Sequence, residues 1–244
     1  MNRKVDFRER RDKVLGVVVG QYIKTVAPVS SALIADESRL DLSPATIRNI
    51  LAELEEMGYL THPHTSAGRI PTQTGYRYFV DYLMREIELL EEEKRRIKTE
   101  YARKFLELET LLERASETVA DLTHYTSIIS IDGSNQKIFL KGTSYVPGYA
   151  EFHDFGKITS ILEILEEKER LLEVINRNLQ KKIEIYIGHE IACSNIESCS
   201  LAISSFTTEK GASGRIAVLG PTRMDYERVV GTLEFISNLL EGKR

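Results

Sequence analysis

Between Ser43 and Gly58 the sequence writes both ends of one helix and chooses the face it must bury. Ser43 can accept a hydrogen bond from the first free backbone N–H groups, and Pro44 suits the first helical position, where its missing N–H costs nothing. Gly58 is the residue type that closes a helix in the left-handed conformation. Between them, Ile47, Ile50, Leu51 and Leu54 fall within about 60° of one direction at ~100° per residue. A helix of this length is marginal alone and takes its stability from what it packs on. Its opposite face carries Ala45, Asn49 and Ala52, with Thr46 and Arg48 on the shoulders. Small residues let a helix sit deep in the DNA major groove, Asn can pair with adenine, and Arg with guanine or phosphate. Glu53, Glu55 and Glu56 come late, where such a helix leaves the groove.

The flanks extend this pattern. Residues 8–26 set Val14, Leu15, Val18, Val19, Tyr22, Ile23 and Val26 at helical spacing. Pro28 interrupts, Ser30 can cap a short helix carrying Leu33 and Ile34, and Arg39–Leu42 reads as a turn. After Gly58, Tyr59–Thr61 and Ile70-Pro71 read as short strands around the polar, basic-tipped segment His62–Arg69. Thr72 then starts a helix with Tyr76, Phe79, Val80 and Leu83 on one face. Helix, short helix, turn, capped helix, hairpin, helix is the order of a winged helix–turn–helix. Ser43, Ala45, Thr46, Arg48 and Asn49 are the candidate DNA contacts on the third helix. In the wing, Arg69 is a candidate phosphate or minor-groove contact, with Thr65 and Ser66 as phosphate donors. Gly68 is expected to supply a positive φ.

Charge fits a binder of one sequence rather than a coat for any nucleic acid. The net charge is −4, but residues 1–80 carry 11 Lys and Arg against 9 Asp and Glu, and the remainder 22 against 28. A mildly basic head on an acidic body keeps the rear surface off DNA. No apolar run approaches the roughly 20 residues of a membrane span, and the charged N-terminus resembles no signal peptide. The 2 cysteines, Cys193 and Cys199, make no disulfide framework. A cytoplasmic protein with no membrane partner is expected.

Helix-forming residues continue from Met84 to about Leu122 and include the solvated charge run Glu91–Arg96. Beyond Thr123 the pattern becomes mixed. Strands are expected at Ser127–Ile131, Lys137–Lys141, Ile183–Ile187, Cys199–Phe206 and Arg215–Leu219, the first two joined by the turn signal Asp132–Asn135. Helices are expected from an Asp154 cap to about Leu179, and from Thr222 to Leu240. The fold class is therefore α+β, in three parts: a winged helix–turn–helix over 1–85, a connecting helix over 86–123 and an α+β domain over 124–244.

Other chemistries find little support. His62 and His64 flank a proline without a third ligand, and His189, Cys193 and Cys199 lack CxxC spacing, so no metal is expected. Gly211–Gly214 reads as a hairpin turn rather than an anion cradle. Gly220–Asp225 reads as a capped helix start, with Thr222 at the cap and Arg223 paired to a neighbour, rather than a phosphate site. No catalytic arrangement and no cofactor is expected, and the chain reads as no enzyme.

Leu42–Asn49, Leu54–Leu60, Pro63–Thr72 and Gly75–Asp81 resemble the heat-inducible transcription repressors of the HrcA family. The resemblance resumes at Gly142–Ser144, Leu165–Leu172, Tyr186–Glu190, Cys199–Leu201 and Gly220–Tyr226. It implies repression of chaperone operons through an inverted-repeat operator (the CIRCE element) of double-stranded DNA, bound by a homodimer. It further implies modulation by the chaperonin GroEL and a GAF-like fold for the body. This sequence departs from the family in two places. Ile50 stands where an acidic residue is usual, and only a short turn links the strands at Ser127–Ile131 and Ile138–Leu140, where the family holds part of its sheet and an inserted dimerising domain. The GAF-like body is thus reduced. A ligand-sensing regulator with the same head and a small-molecule site in the body is the alternative. With the insert missing, the expected pairing seam is the connecting helix, with Ile87, Leu90, Ile97, Tyr101, Lys104, Leu108, Leu111 and Ala115 at near-heptad spacing.

Overall fold

The computed structural model describes residues 3–37, 42–63, 68–84, 91–102, 108–133, 136–152, 154–176, 179–193 and 196–243. The chain divides into two compact units, Met1–Arg85 and Glu86–Arg244. Helix and sheet are mixed, as the α+β class requires.

The N-terminal unit is built around helix α1 (Arg3–Thr25), whose Val14, Leu15, Val18 and Val19 are all 0% exposed. Val26 ends it at φ 55°, a conformation that a β-branched residue rarely adopts. Helix α2 (Ser31–Glu37) follows, the Leu33 N–H donating to the Ser30 hydroxyl at 3.2 Å as the Ser30 cap predicts. Of the expected turn at 39–42, residues 39–41 lie outside the described residues. Helix α3 (Pro44–Glu56) buries Ile47, Ile50, Leu51 and Leu54, the four residues of the predicted stripe. It closes on Gly58 at φ 76°, where Gly58 N–H donates to Glu55 O and Tyr59 N–H to Leu54 O, each at 2.9 Å. That pair of bonds satisfies carbonyls the helix end would otherwise leave open.

Strands β1 (Leu60–Thr61) and β2 (Ile70–Pro71) pair antiparallel, Leu60 opposite Pro71. Beside them Val29 and Arg69 form a bridge, each N–H donating to the other's carbonyl at 2.9 Å. Gly68 does not take the positive φ expected of it. A Cβ there would stand 2.5 Å from the carbonyl carbon and oxygen of Val29, so glycine is required by close approach. Helix α4 (Gln73–Tyr78) is capped by Thr72, whose hydroxyl accepts from Gly75 N–H at 3.1 Å, and runs into a π turn at Phe79–Leu83.

The C-terminal unit begins with α5 (Glu91–Ala102) and α6 (Leu108–Thr123), residues 85–90 and 103–107 lying outside the described residues. The sheet has the order β4-β3-β7-β6-β5, with every neighbouring pair antiparallel. Its strands are β3 (Thr126–Ile131), β4 (Ile138–Lys141), β5 (Ile183–Ile187), β6 (Cys199–Thr207) and β7 (Ser213–Pro221). Ser127, Val218 and Ala202 lie in register across β3, β7 and β6, and Ser200, two residues from Ala202, shares their face. On that face Ser116 of α6 meets the Ser127 hydroxyl at 3.2 Å, and Tyr226 meets Ser200 at 2.8 Å. Tyr226 opens α9 (Tyr226–Leu240), so α6 and α9 cover the same side.

Three expectations change here. The segment 86–123 does not stand apart as a connector: α6 buries Leu112, Ala115, Ser116, Val119 and Ala120 in this unit's core. Two residues of the expected pairing seam are not open to a partner, since Ile97 is 1% and Ala115 0% exposed within a single chain. Ile87, Leu90, Lys104 and the side chain of Tyr101 lie outside the described residues. The helix expected from Asp154 to Leu179 is two, α7 (Phe155–Glu166) and α8 (Lys168–Ile175), parted at Glu167. The last helix is capped by Asp225 instead of Thr222, its carboxylate accepting from Arg228 N–H at 3.0 Å.

Candidate nucleic-acid interface

The Ser43 cap does more than start α3. Its hydroxyl accepts from Thr46 N–H at 3.1 Å and meets the Thr46 hydroxyl at 2.9 Å, so Thr46 is drawn in and is only half-exposed. With Ile47, Ile50, Leu51 and Leu54 turned inward, Ala45, Arg48, Asn49 and Ala52 are left exposed. Two small residues, one amide and one guanidinium thus make up the outer surface near the helix start. Arg48 Nε reaches back to Pro44 O at 3.4 Å. Arg48 also lines a cleft with Val29, Ser30, Ser31, Leu51, Gly68 and Arg69.

Arg69 is placed differently from a free cation on a wing tip. Its Nη2 lies 2.8 Å from Glu55 Oε2, while His62 Nδ1 meets the other carboxylate oxygen of Glu55. Glu55, on the last turn of α3, therefore joins the helix to both sides of the hairpin base. No spacing rule would reveal this role, because only the hairpin fold brings His62 and Arg69 to it. Thr65 and Ser66, the two expected phosphate donors, lie outside the described residues, as does His64.

An aromatic run stiffens the same unit. The ring of Tyr78 lies 4.9 Å from those of Tyr59 and Tyr82, and its hydroxyl donates to Asp12 at 3.0 Å. Burial, then that hydrogen bond, pushes the Tyr78 hydroxyl above the usual tyrosine range, so it stays protonated as a donor.

Several polar groups of the C-terminal unit are taken up in internal pairs. Arg223 pairs with Glu151. Arg228 forks onto Glu93 of α5 at 2.6 and 3.2 Å and donates to Leu122 O at 3.3 Å. The segment at Gly211 is the turn between β6 and β7, with Gly211 N–H bonded to Thr208 O at 2.8 Å. Cys193 and Cys199 are unpaired and buried, and burial pushes the Cys199 thiol up to about 12. Among the described residues no cluster of His, Cys, Asp or Glu could hold a metal, and no helix is long and apolar enough to cross a membrane.

A family model described as the HrcA protein C-terminal domain matches residues 90–230. The chain belongs to the HrcA family. The heat-inducible transcription repressor HrcA of Carboxydothermus hydrogenoformans is 30% identical, the match covering 95% of this chain and 96% of that protein. Its counterpart in Pelotomaculum thermopropionicum is 29% identical over 95% of each, and that of Geobacter sulfurreducens 26% over 98% and 99%. The first alignment runs over 330 positions against the 244 residues of this chain, so that HrcA carries segments absent here. A crystal structure of a hypothetical protein at 2.2 Å shares the fold, with TM-score 0.75 at 20% identity over 96% of both chains.

Proposed function

We propose that this chain is a winged helix–turn–helix repressor of heat-shock chaperone operons that binds an inverted-repeat operator as a homodimer. Helix α3 is the recognition helix in this reading, and the β1–β2 hairpin is the wing. The observation that carries it is the exposed strip Ala45, Asn49 and Ala52 beside Arg48 on a helix whose other face is fully buried. Groove entry needs a slim surface with a donor–acceptor amide, and this strip supplies both. Residues 1–85 act as the DNA-binding domain, and the remainder is a reduced GAF-like domain through which the chaperonin GroEL acts. HrcA membership supports these partners, and a repressor needs no catalytic residue. The ligand-sensing alternative rests on an open cleft where β4 meets α7 and α8, lined by Ile138, Leu140, Leu165 and Leu171 with Lys137 and Glu166 at its rim.

A gel shift with the promoter of the organism's own chaperonin operon tests the reading. Retardation of that fragment, lost when one arm of the repeat is scrambled, is the expected result. Equal retardation of both fragments contradicts it. A small molecule that shifts the retardation favours the alternative.

A further inference from the structure

We propose that the cleft beside α3 seats one DNA backbone phosphate in each operator half-site, gripped by Arg48 and Arg69, so that Arg48 sets position while Asn49 reads a base. The inference rests on the DNA-binding reading above and assigns roles that the sequence leaves open, since Arg48 could serve guanine or phosphate.

The cleft's chemistry is that of an anion site. Among the described residues the cleft is lined by Arg48, Arg69, Ser30 and Ser31 with apolar Val29 and Leu51, and by no acidic residue. The Ser30 hydroxyl oxygen already accepts from Leu33 N–H at 3.2 Å, which leaves its proton to donate outward. Among the described residues Arg48 makes no ion pair, its one hydrogen bond being the long 3.4 Å contact to Pro44 O. A planar fork of N–H donors matches phosphate oxygens, which a single amide does not.

The second guanidinium is held in place beforehand. Glu55 fixes Arg69 at 2.8 Å from outside the lining, and the reciprocal 2.9 Å bonds between Val29 and Arg69 lock its backbone. Gly68 lets that backbone press against Val29 with no room for a side chain. A donor fixed before binding loses less freedom when the ligand arrives. Arg48 and Asn49 differ by about 100° around the helix. One therefore turns to the cleft while the other stays on the outer strip with Ala45 and Ala52.

The test is fluorescence anisotropy of the full chain on an inverted-repeat duplex and a scrambled one across a salt series. Wild type, Arg48→Ala and Asn49→Ala are compared, and the repeat is also made with single neutral methylphosphonates along each half-site. Arg48→Ala is expected to weaken both duplexes by the same factor and to reduce the salt slope by about 0.9 for each phosphate it no longer neutralises. One methylphosphonate position should weaken wild type several-fold and Arg48→Ala by clearly less, the remainder being the contact Arg69 still makes, while Asn49→Ala weakens the repeat alone. If Arg48→Ala loses discrimination at one base pair with an unchanged slope, it reads a base and the proposal fails. It fails equally if every methylphosphonate penalty persists undiminished in Arg48→Ala. A wild type that binds both duplexes alike removes the operator reading, and the methylphosphonate series then decides the cleft by itself.

Discussion

The two units of the molecule spend their side chains in opposite ways. In the N-terminal unit, caps and close backbone approach build the scaffold: the Ser43 cap, the Gly58 closure and the contact of Gly68 with Val29. Those devices ask little of the outer surface of α3, which stays open and slim. In the C-terminal unit, polar groups are consumed internally: Ser116 on Ser127, Tyr226 on Ser200, Arg228 on Glu93 and Arg223 on Glu151. A surface free of structural duties can carry recognition, whereas a packed sheet carries stability. The same residue type shows the difference, since Arg48 makes no ion pair among the described residues and Arg228 makes a two-pronged one.

Core truncation should give the largest effects and should treat the units alike. Leu54 is 1% exposed and Ile128 0%, so Leu54→Ala and Ile128→Ala should each lower stability by about 2–5 kcal/mol. With no Trp in the chain, denaturant unfolding followed by Tyr fluorescence provides the measure. A cost well below this range at Ile128 would mean that the sheet is not the packed layer described.

Gly68→Ala should come next, at about 1–3 kcal/mol, the usual range for overpacking. The added methyl meets Val29 backbone rather than a side chain that could swing aside. Hydrogen exchange should show faster opening of the Val29 and Arg69 amides. A neutral effect would return Gly68 to an ordinary loop role. Ser43→Ala should cost about 1 kcal/mol by removing the cap and should also release Thr46. Ser43→Asp should restore most of that stability, because a carboxylate accepts the same N–H.

The smallest effect belongs to the C-terminal unit. Cys199 is 1% exposed and its thiol is pushed up to about 12 by burial, so at neutral pH it is a protonated thiol without access. Alkylation should leave it untouched until denaturant unfolds the sheet. Rapid labelling of the native protein at Cys199 would place β6 at an open edge instead of between β5 and β7.

How much of this was legible in the sequence follows from the range of each interaction. Caps, stripes and strand alternation act over a few residues, so α3, its buried face and the strands β3 to β7 could be read directly. The pairing of Glu55 with Arg69 and His62 crosses a hairpin, and that of Glu93 with Arg228 spans most of the unit, so neither leaves a local trace. Gly68 misled because glycine serves both positive φ and close approach, and only the position of Val29 tells them apart. Val26 at φ 55° is invisible for the opposite reason, since a β-branched residue is the last expected there. Of the near-heptad stripe around Ile97, Ile97 and Ala115 are buried within the chain itself, which periodicity alone does not distinguish from burial against a second copy.

The central claim is that the outer strip of α3 recognises DNA while contributing nothing to the fold, and Asn49→Ala tests it most directly. Thermal unfolding and binding to the inverted repeat should be measured on the same preparation. The exposed position predicts stability within about 0.5 kcal/mol of wild type, with a loss of about 1–3 kcal/mol in binding to the repeat and none on scrambled DNA. Unchanged binding to the repeat, or a binding loss that merely tracks a fall in melting temperature, would contradict the account.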